Sequence, residues 1–355
     1  MNIIDYHQTA EDHQSLLILV HQIGTQISTK EFHATWERIQ RSQCINVPGQ
    51  RRTVWVRYKR YYPLDCNEWG EFQAHRKALG LISVGKCSTQ TQFESLFETY
   101  KKDKEEYAST LYNSRLIVLG MNADGSPLSD SESEIFRKSS IVQDNENATH
   151  LANDNMSIVQ DIVDLEGNVV LEENETKETV IRPHSNSFSK ESTGSEVIFF
   201  PAISKSADMD EKLKEFITSI FFVLDGKRLD RSFERADKMQ LLCAPFEKKD
   251  YIGVDTDAKS YKKKCQGRLR KHLADFCLQA GLPGEAMLHY NTALDILKPV
   301  NDWLWMGGSI KHSYANGLQD LPESVVRTSL EQDDIIEKYK EALMYYSKVR
   351  NSVVV

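Results

Sequence analysis

The chain has 355 residues, a 40% hydrophobic share and a formal net charge of −8, so it is long enough for two or three cores. Its mean hydropathy of −0.49, and apolar runs no longer than Leu16–Val20 and Ile220–Leu224, exclude a helix of about 20 apolar residues spanning a membrane. The first residues, Met1 to His7, show no basic stretch followed by an apolar one, so no secretory signal is read there.

Leu16–Ile23 is an apolar run and predicts a buried strand. Lys30–Arg41 places Phe32, Trp36 and Ile39 at helical spacing, with Ser28 or Thr29 as N-cap. Thr53–Tyr61 alternates, with Val54, Val56 and Tyr58 on one face and Trp55 and Arg57 on the other, which is strand patterning. Leu79–Val84 predicts a strand, Thr91–Thr110 a helix and Arg115–Gly120 a strand.

Residues 122–195 then change character. They hold 15 Asp/Glu against 5 Lys/Arg, a net of −10, which leaves the rest of the chain at about +2. Such a polar, acidic segment buries too little apolar surface to offset ordering entropy of roughly 1–2 kcal/mol per residue. It is predicted to be a disordered insertion, with one short hairpin at Val163–Leu171.

Beyond it, Glu196–Phe200 predicts a strand and Asp210–Glu234 a helix. Leu213, Phe216, Ile217, Ile220, Phe221 and Leu224 make an apolar stripe on that helix, and Leu241–Pro245 predicts a closing strand. This alternation predicts an α/β layered domain with a mainly parallel sheet, made of residues 1–121 and 196–255. The element order is reminiscent of small GTPases, by analogy only.

From about Ser260 the pattern is helical. Leu273, Ala274, Ala280, Gly281, Ala286, Tyr290, Ala293 and Pro299 fall near the offsets of a tetratricopeptide unit. Tyr339 and Ala342 repeat the Tyr290/Ala293 spacing, with polar residues 313–330 as an insertion between helices. Residues 256–355 are therefore predicted to begin a tetratricopeptide-like solenoid. So short a stub is expected to lean on the α/β domain or on further chain.

Candidate chemistry is sparse. Gly80-Leu-Ile-Ser-Val-Gly85-Lys86-Cys87 nearly matches a phosphate-binding loop, but Leu81, Ile82 and Val84 have strand character and Cys87 replaces the magnesium-binding hydroxyl. If the domain is GTPase-like, it is expected to be a version that binds no nucleotide. No C-x-x-C pair links the six cysteines and no two histidines lie three or four apart, so neither a metal site nor a cofactor is expected.

Two basic runs remain. Arg51, Arg52, Arg57, Lys59 and Arg60 interleave with aromatics, and Lys262, Lys263, Lys264, Arg268, Arg270 and Lys271 form the second. They read as solvated faces or as a patch facing a protein partner or a membrane. A sequence pI near 5.8 argues against nucleic acid.

Several stretches resemble the N-terminal region of the subunit 9 family of the TRAPP II vesicle-tethering complex, also called NIK- and IKK-beta-binding protein. They are Ala10–Leu17, Asn67–Lys77, Ser109–Leu116, Gly226–Arg231, Leu241–Asp250, Tyr261–Arg268, Val300–Trp305 and Asp334–Ala342, and they are spread along most of the chain outside 122–195. The resemblance implies a non-catalytic scaffold of a Rab nucleotide-exchange and tethering complex. Its implied neighbours are small longin-fold subunits and another large subunit, with a Rab GTPase engaged indirectly. The implied location is cytoplasmic and peripheral, at the Golgi apparatus and transport vesicles. Family members are implied to have a shorter insertion and to continue into a longer solenoid and β-sandwich domains. The competing expectations are a signalling adaptor for kinases of the NF-kappa-B pathway and, more distantly, a nucleotide-binding enzyme.

Overall fold

The structure, a computed structural model, describes residues 11–122, 125–126, 196–201, 206–233, 240–248, 255–317 and 329–353. Nearly all of the acidic segment 122–195, with the hairpin expected at Val163–Leu171, lies outside the described residues.

Among the described residues six strands form one sheet: β1 (Leu16–Gln22), β2 (Cys44–Asn46), β3 (Thr53–Lys59), β4 (Ala78–Lys86), β5 (Asn113–Leu119) and β6 (Val197–Phe200). Their order is β2-β3-β1-β4-β5-β6. Only the β2–β3 pairing is antiparallel; every other neighbour pair is parallel. The unbroken apolar run of β1 suits its central place, because a parallel strand covered on both faces has no solvent side. Leu16, Ile18 and Val20 point into one core layer, and Leu17 and Leu19 into the other.

Helices cover both faces. On one side lie α1 (Thr29–Gln40) and, after a short α2 (Leu64–Glu68) and then α3 (Gln90–Glu106), the long α4 (Ser206–Phe233). The predicted stripe of α4 is buried at all six positions, against Ile18, Leu79 and Ile82. Leu96 and Tyr100 of α3 pack with Leu116 and Val118 on the opposite side. Gly80 has a packing role here: a Cβ on it would lie 2.6 Å from Ile220 Cδ1.

The expected strand at Leu241–Pro245 is not formed. Residues 240–244 are irregular and Pro245–Glu247 is a 3-10 turn. The Leu242 carbonyl accepts from Arg268 and the Cys243 amide donates to Glu71, so side chains take the groups a ladder would have used. The three-residue β2 was not anticipated, being too short to show a period.

Among the described residues four α-helices follow: α5 (Lys259–Gln279), α6 (Pro283–Leu297), α7 (Trp303–Gly317) and α8 (Ser329–Val353), each packed on the one before. Small residues sit where they cross. A Cβ on Gly267 would lie 2.4 Å from Leu297, and one on Gly307 would lie 3.2 Å from the Ala342 carbonyl. Ala286, Tyr290 and Ala293 are fully buried. This layer meets the sheet directly: Phe276 and Ala280 belong to the same core cluster as β1, and the Gln279 amide donates to the Ser15 carbonyl.

Candidate functional site

The sheet topology marks one place where a ligand would be expected. The chain leaving β1 runs through α1 towards β3, while the chain leaving β4 runs through α3 towards β5, to the other side. In open α/β sheets ligands bind at such a switch point, beyond the carboxyl ends of the strands, and a phosphate would sit on the first turn of α1.

That seat is taken by the chain itself. Ser28 and Glu31 form a reciprocal capping box: the Glu31 amide donates to Ser28 Oγ at 3.2 Å, and Glu31 Oε2 accepts from the Ser28 amide at 3.0 Å. Lys86, the last residue of β4, reaches Glu31 Oε1 at 2.5 Å. Burial pushes the Glu31 carboxyl up, but the hydrogen bonds from Lys86 and Ser28 outweigh it and hold the group below its ordinary range. The space between the strand ends is closed by Leu96, since Cβ atoms built on Gly24 and Gly85 would lie 2.8 and 2.5 Å from its side chain.

The Gly80–Lys86 run is strand throughout, not a loop, so its amides serve the sheet rather than a phosphate. Cys87 is buried, its thiol lies 3.2 Å from Met121 Sδ, and burial pushes it up to about 11. Among the described residues no group of three or more His, Cys, Asp or Glu could hold a metal ion.

The predicted basic residues divide sharply. Arg51 and Arg60 are exposed, and Arg60 stacks over Trp36 at 4.6 Å. Lys59 is half-buried at the end of β3. Arg52 pairs with Asp225 of α4 at 2.9 Å, and Arg57 donates to the His75 carbonyl at 2.6 Å. In the second run Lys262 is exposed and pairs with Asp257 at 3.1 Å, while Lys263, Lys264 and Arg270 are half-buried.

Arg268 and Lys271 do not belong to a surface at all: both are fully buried. Arg268 is held between Glu247 at 2.9 Å and Asp302 at 2.7 Å, with the Trp305 ring 4.7 Å away. Trp305 Nε1 donates to the same Glu247 carboxylate. Lys271 donates to Asp275 at 2.7 Å and to the Phe72 carbonyl, and Asp275 also accepts from Tyr290. Burial lowers the Lys271 pKa, against the pull of Asp275. Charges so deep need such partners, and the two clusters tie α5 to α6, α7 and the loop at Phe72.

Glu31 and Leu96 were not singled out in the sequence as groups that fill the crevice. The Ser28-x-x-Glu31 pattern is a readable capping box, whereas nothing local in the sequence marks Leu96.

The comparisons agree with the resemblance. The family described as Trs120/TRAPPC9, N-terminal domain, matches residues 65–313. A Bos taurus protein named trafficking protein particle complex subunit 9 is 32% identical over 399 residues, covering 100% of this chain and 29% of the relative. Its Homo sapiens counterpart is 31% identical over 408 residues, with 100% and 30% covered. An Arabidopsis thaliana protein named trafficking protein particle complex II-specific subunit 120 homolog is 31% identical over 87 residues, which is 24% of this chain and 7% of that one. The chain thus spans about 30% of the length of the animal relatives.

Proposed function

Because the chain belongs to the Trs120/TRAPPC9 family, we propose that it forms the N-terminal scaffold portion of a TRAPP II subunit and works by holding partners rather than by catalysis. The observation that carries this reading is similarity along the whole chain to proteins named as trafficking particle subunits. The filled switch point supports the non-catalytic half of it. An α/β domain that seats its own carboxylate where a phosphate would go offers surfaces, not a reaction centre.

In this reading the α/β domain (1–121 and 196–255), its acidic insertion (122–195) and the helical region (256–355) present faces to small longin-fold subunits and to another large subunit. A Rab GTPase is engaged through the assembly, in transport to and within the Golgi. The cations left at the surface, Arg51, Lys59, Arg60, Lys262, Lys263, Lys264 and Arg270, form partner- or membrane-facing patches. No described helix is long and apolar enough to cross a membrane, which suits peripheral attachment.

The test is to purify the 355-residue chain from cells under mild conditions and identify what accompanies it by mass spectrometry. Recovery of small longin-fold subunits and a Rab exchange core is expected. A folded chain that recovers none of them would overturn the proposal that this region docks, and recovery of kinases alone would favour an adaptor role.

A further inference from the structure

The helix α4 buries one stripe against the sheet, and part of its opposite face is apolar too. Phe222, Gly226, Leu229 and Phe233 follow one another at intervals of 4, 3 and 4 residues, the spacing of alternating d and a positions in a heptad seam. At about 100° per residue the four fall within about 60° of one another round the helix. Phe222 is 50% exposed, Leu229 45% and Phe233 82%, with Val223 beside them at 38%. Scattered exposed apolar residues are ordinary, but an aligned row marks an interaction surface.

Gly226 sets a hollow in this row. Nothing lies within 4 Å of the Cβ it lacks. Glycine inside a helix is costly, and elsewhere in this chain it admits a crossing helix. Gly267 of α5 receives Leu297 of α6, and Gly307 of α7 receives Tyr346 and the Ala342 carbonyl of α8. The hollow at Gly226 has the same form and no neighbour in it.

We propose that this face of α4 pairs with its own counterpart on a second copy of the chain, the two helices antiparallel about a twofold axis. The intervals 4, 3, 4 read the same in both directions. An isologous contact requires this, since residue i must meet j while j meets i. Turned end for end, Phe222 meets the partner's Phe233, and the hollow at Gly226 takes the partner's Leu229. The flanks agree with that register. Asp225, held by Arg52 at 2.9 Å and by Arg228 at 2.7 Å, comes opposite the partner's Ser232. Val223 comes opposite the partner's Asp230, so no like charges are opposed. Taking about 200 Å² for each aromatic ring and somewhat less for Leu and Val, the exposed fractions amount to roughly 400–500 Å² per copy. That is about half of the ~800 Å² per partner of a standard interface, so the dimer is a weak one, forming on the order of tens of micromolar chain. This goes beyond the scaffold reading and does not depend on it.

The experiment is sedimentation equilibrium of the full 355-residue chain at concentrations from about 5 to about 200 µM. A monomer–dimer equilibrium is expected. Gly226→Gln has room in the single chain, and Phe233→Ser lies at an exposed position, so neither is expected to lower the unfolding midpoint. Each is expected to weaken dimerisation about tenfold. Leu288→Ser removes a side chain of α6 that is 64% exposed and is expected to change nothing, which separates the α4 contact from general stickiness. A dimer that ignores Gly226→Gln and Phe233→Ser, one that Leu288→Ser weakens equally, or assemblies that grow past two copies overturn the proposal. So does a chain that stays monomeric throughout; a cross-link from α4 to another protein's helix would then name the occupant.

Discussion

Lys86 Nζ lies 2.5 Å from Glu31 Oε1, so the end of the central strand β4 neutralises the carboxylate that caps α1. The contact bridges the two sides of the switch point. The exposed amides and partial positive charge of a helix start attract anions, and here the anion is covalently part of the chain.

The chain is therefore expected to bind neither GTP nor ATP at millimolar concentration with magnesium. Isothermal titration calorimetry checks this. The same result is expected for Glu31→Gln, because Leu96 still closes the space between Gly24 and Gly85 and Cys87 supplies no hydroxyl for the metal. Saturable heat from either protein would contradict the account of the crevice.

The same carboxylate gives stability a pH signature. The folded Glu31 pKa lies below its ordinary value of 4.5, so protonation favours the unfolded chain. Its contribution is full above the unfolded pKa and fades as pH falls through the folded one. The group is partly exposed, so Glu31→Gln is expected to cost only about 1 kcal/mol at neutral pH. The cost should fade towards acid pH. Urea titrations of both proteins across that range give the difference directly, and a gap that widens in acid would reverse the assignment.

How much of this was legible depends on the range of the interactions. The strands β1, β3, β4, β5 and β6 and the stripe of α4 were readable because alternation and helical period are local. The burial of Arg268 and Lys271 was not. They stand in a run of lysines and arginines; the Arg268 partners Glu247 and Asp302 lie 21 and 34 residues away, and Lys271 is seated against the Phe72 carbonyl, 199 residues away. A helical wheel gives no hint either, since the apolar face of Cys265, Leu269, Leu273 and Phe276 lies away from Lys271, while α5 is buried on nearly every side from Gly267 to Gln279. Leu241–Pro245 misled because its apolar residues serve the Arg268 cluster, not a sheet.

That cluster gives a third expectation. Arg268→Met removes the guanidinium and leaves Glu247 and Asp302 buried, 10% and 5% exposed, without their cation. Breaking a buried pair from one side costs about 3–5 kcal/mol, and the unfolding midpoint should fall accordingly. Arg268→Lys keeps the charge but loses the fork that serves two carboxylates and the Leu242 carbonyl at once, so it should fall between the two. An unchanged midpoint for Arg268→Met would mean that the cluster contributes little to holding α5, α7 and the 240–248 segment together.

Two glycines with opposite surroundings supply the last expectation. Gly281 ends α5 with φ at +71°, and a Cβ there would lie 2.5 Å from the Thr53 carbonyl oxygen of β3. Both the left-handed backbone and the contact with rigid main chain disfavour a side chain. Gly226 sits within α4 with nothing within 4 Å of its missing Cβ. Gly281→Ala should therefore lower stability by roughly 1–3 kcal/mol, through strain and displacement of the helical layer from the sheet. Gly226→Ala should raise it by about 1 kcal/mol through helix propensity alone. Chemical denaturation of the pair separates the effects: equal shifts would mean that the α5–β3 contact is not where the helical region is held.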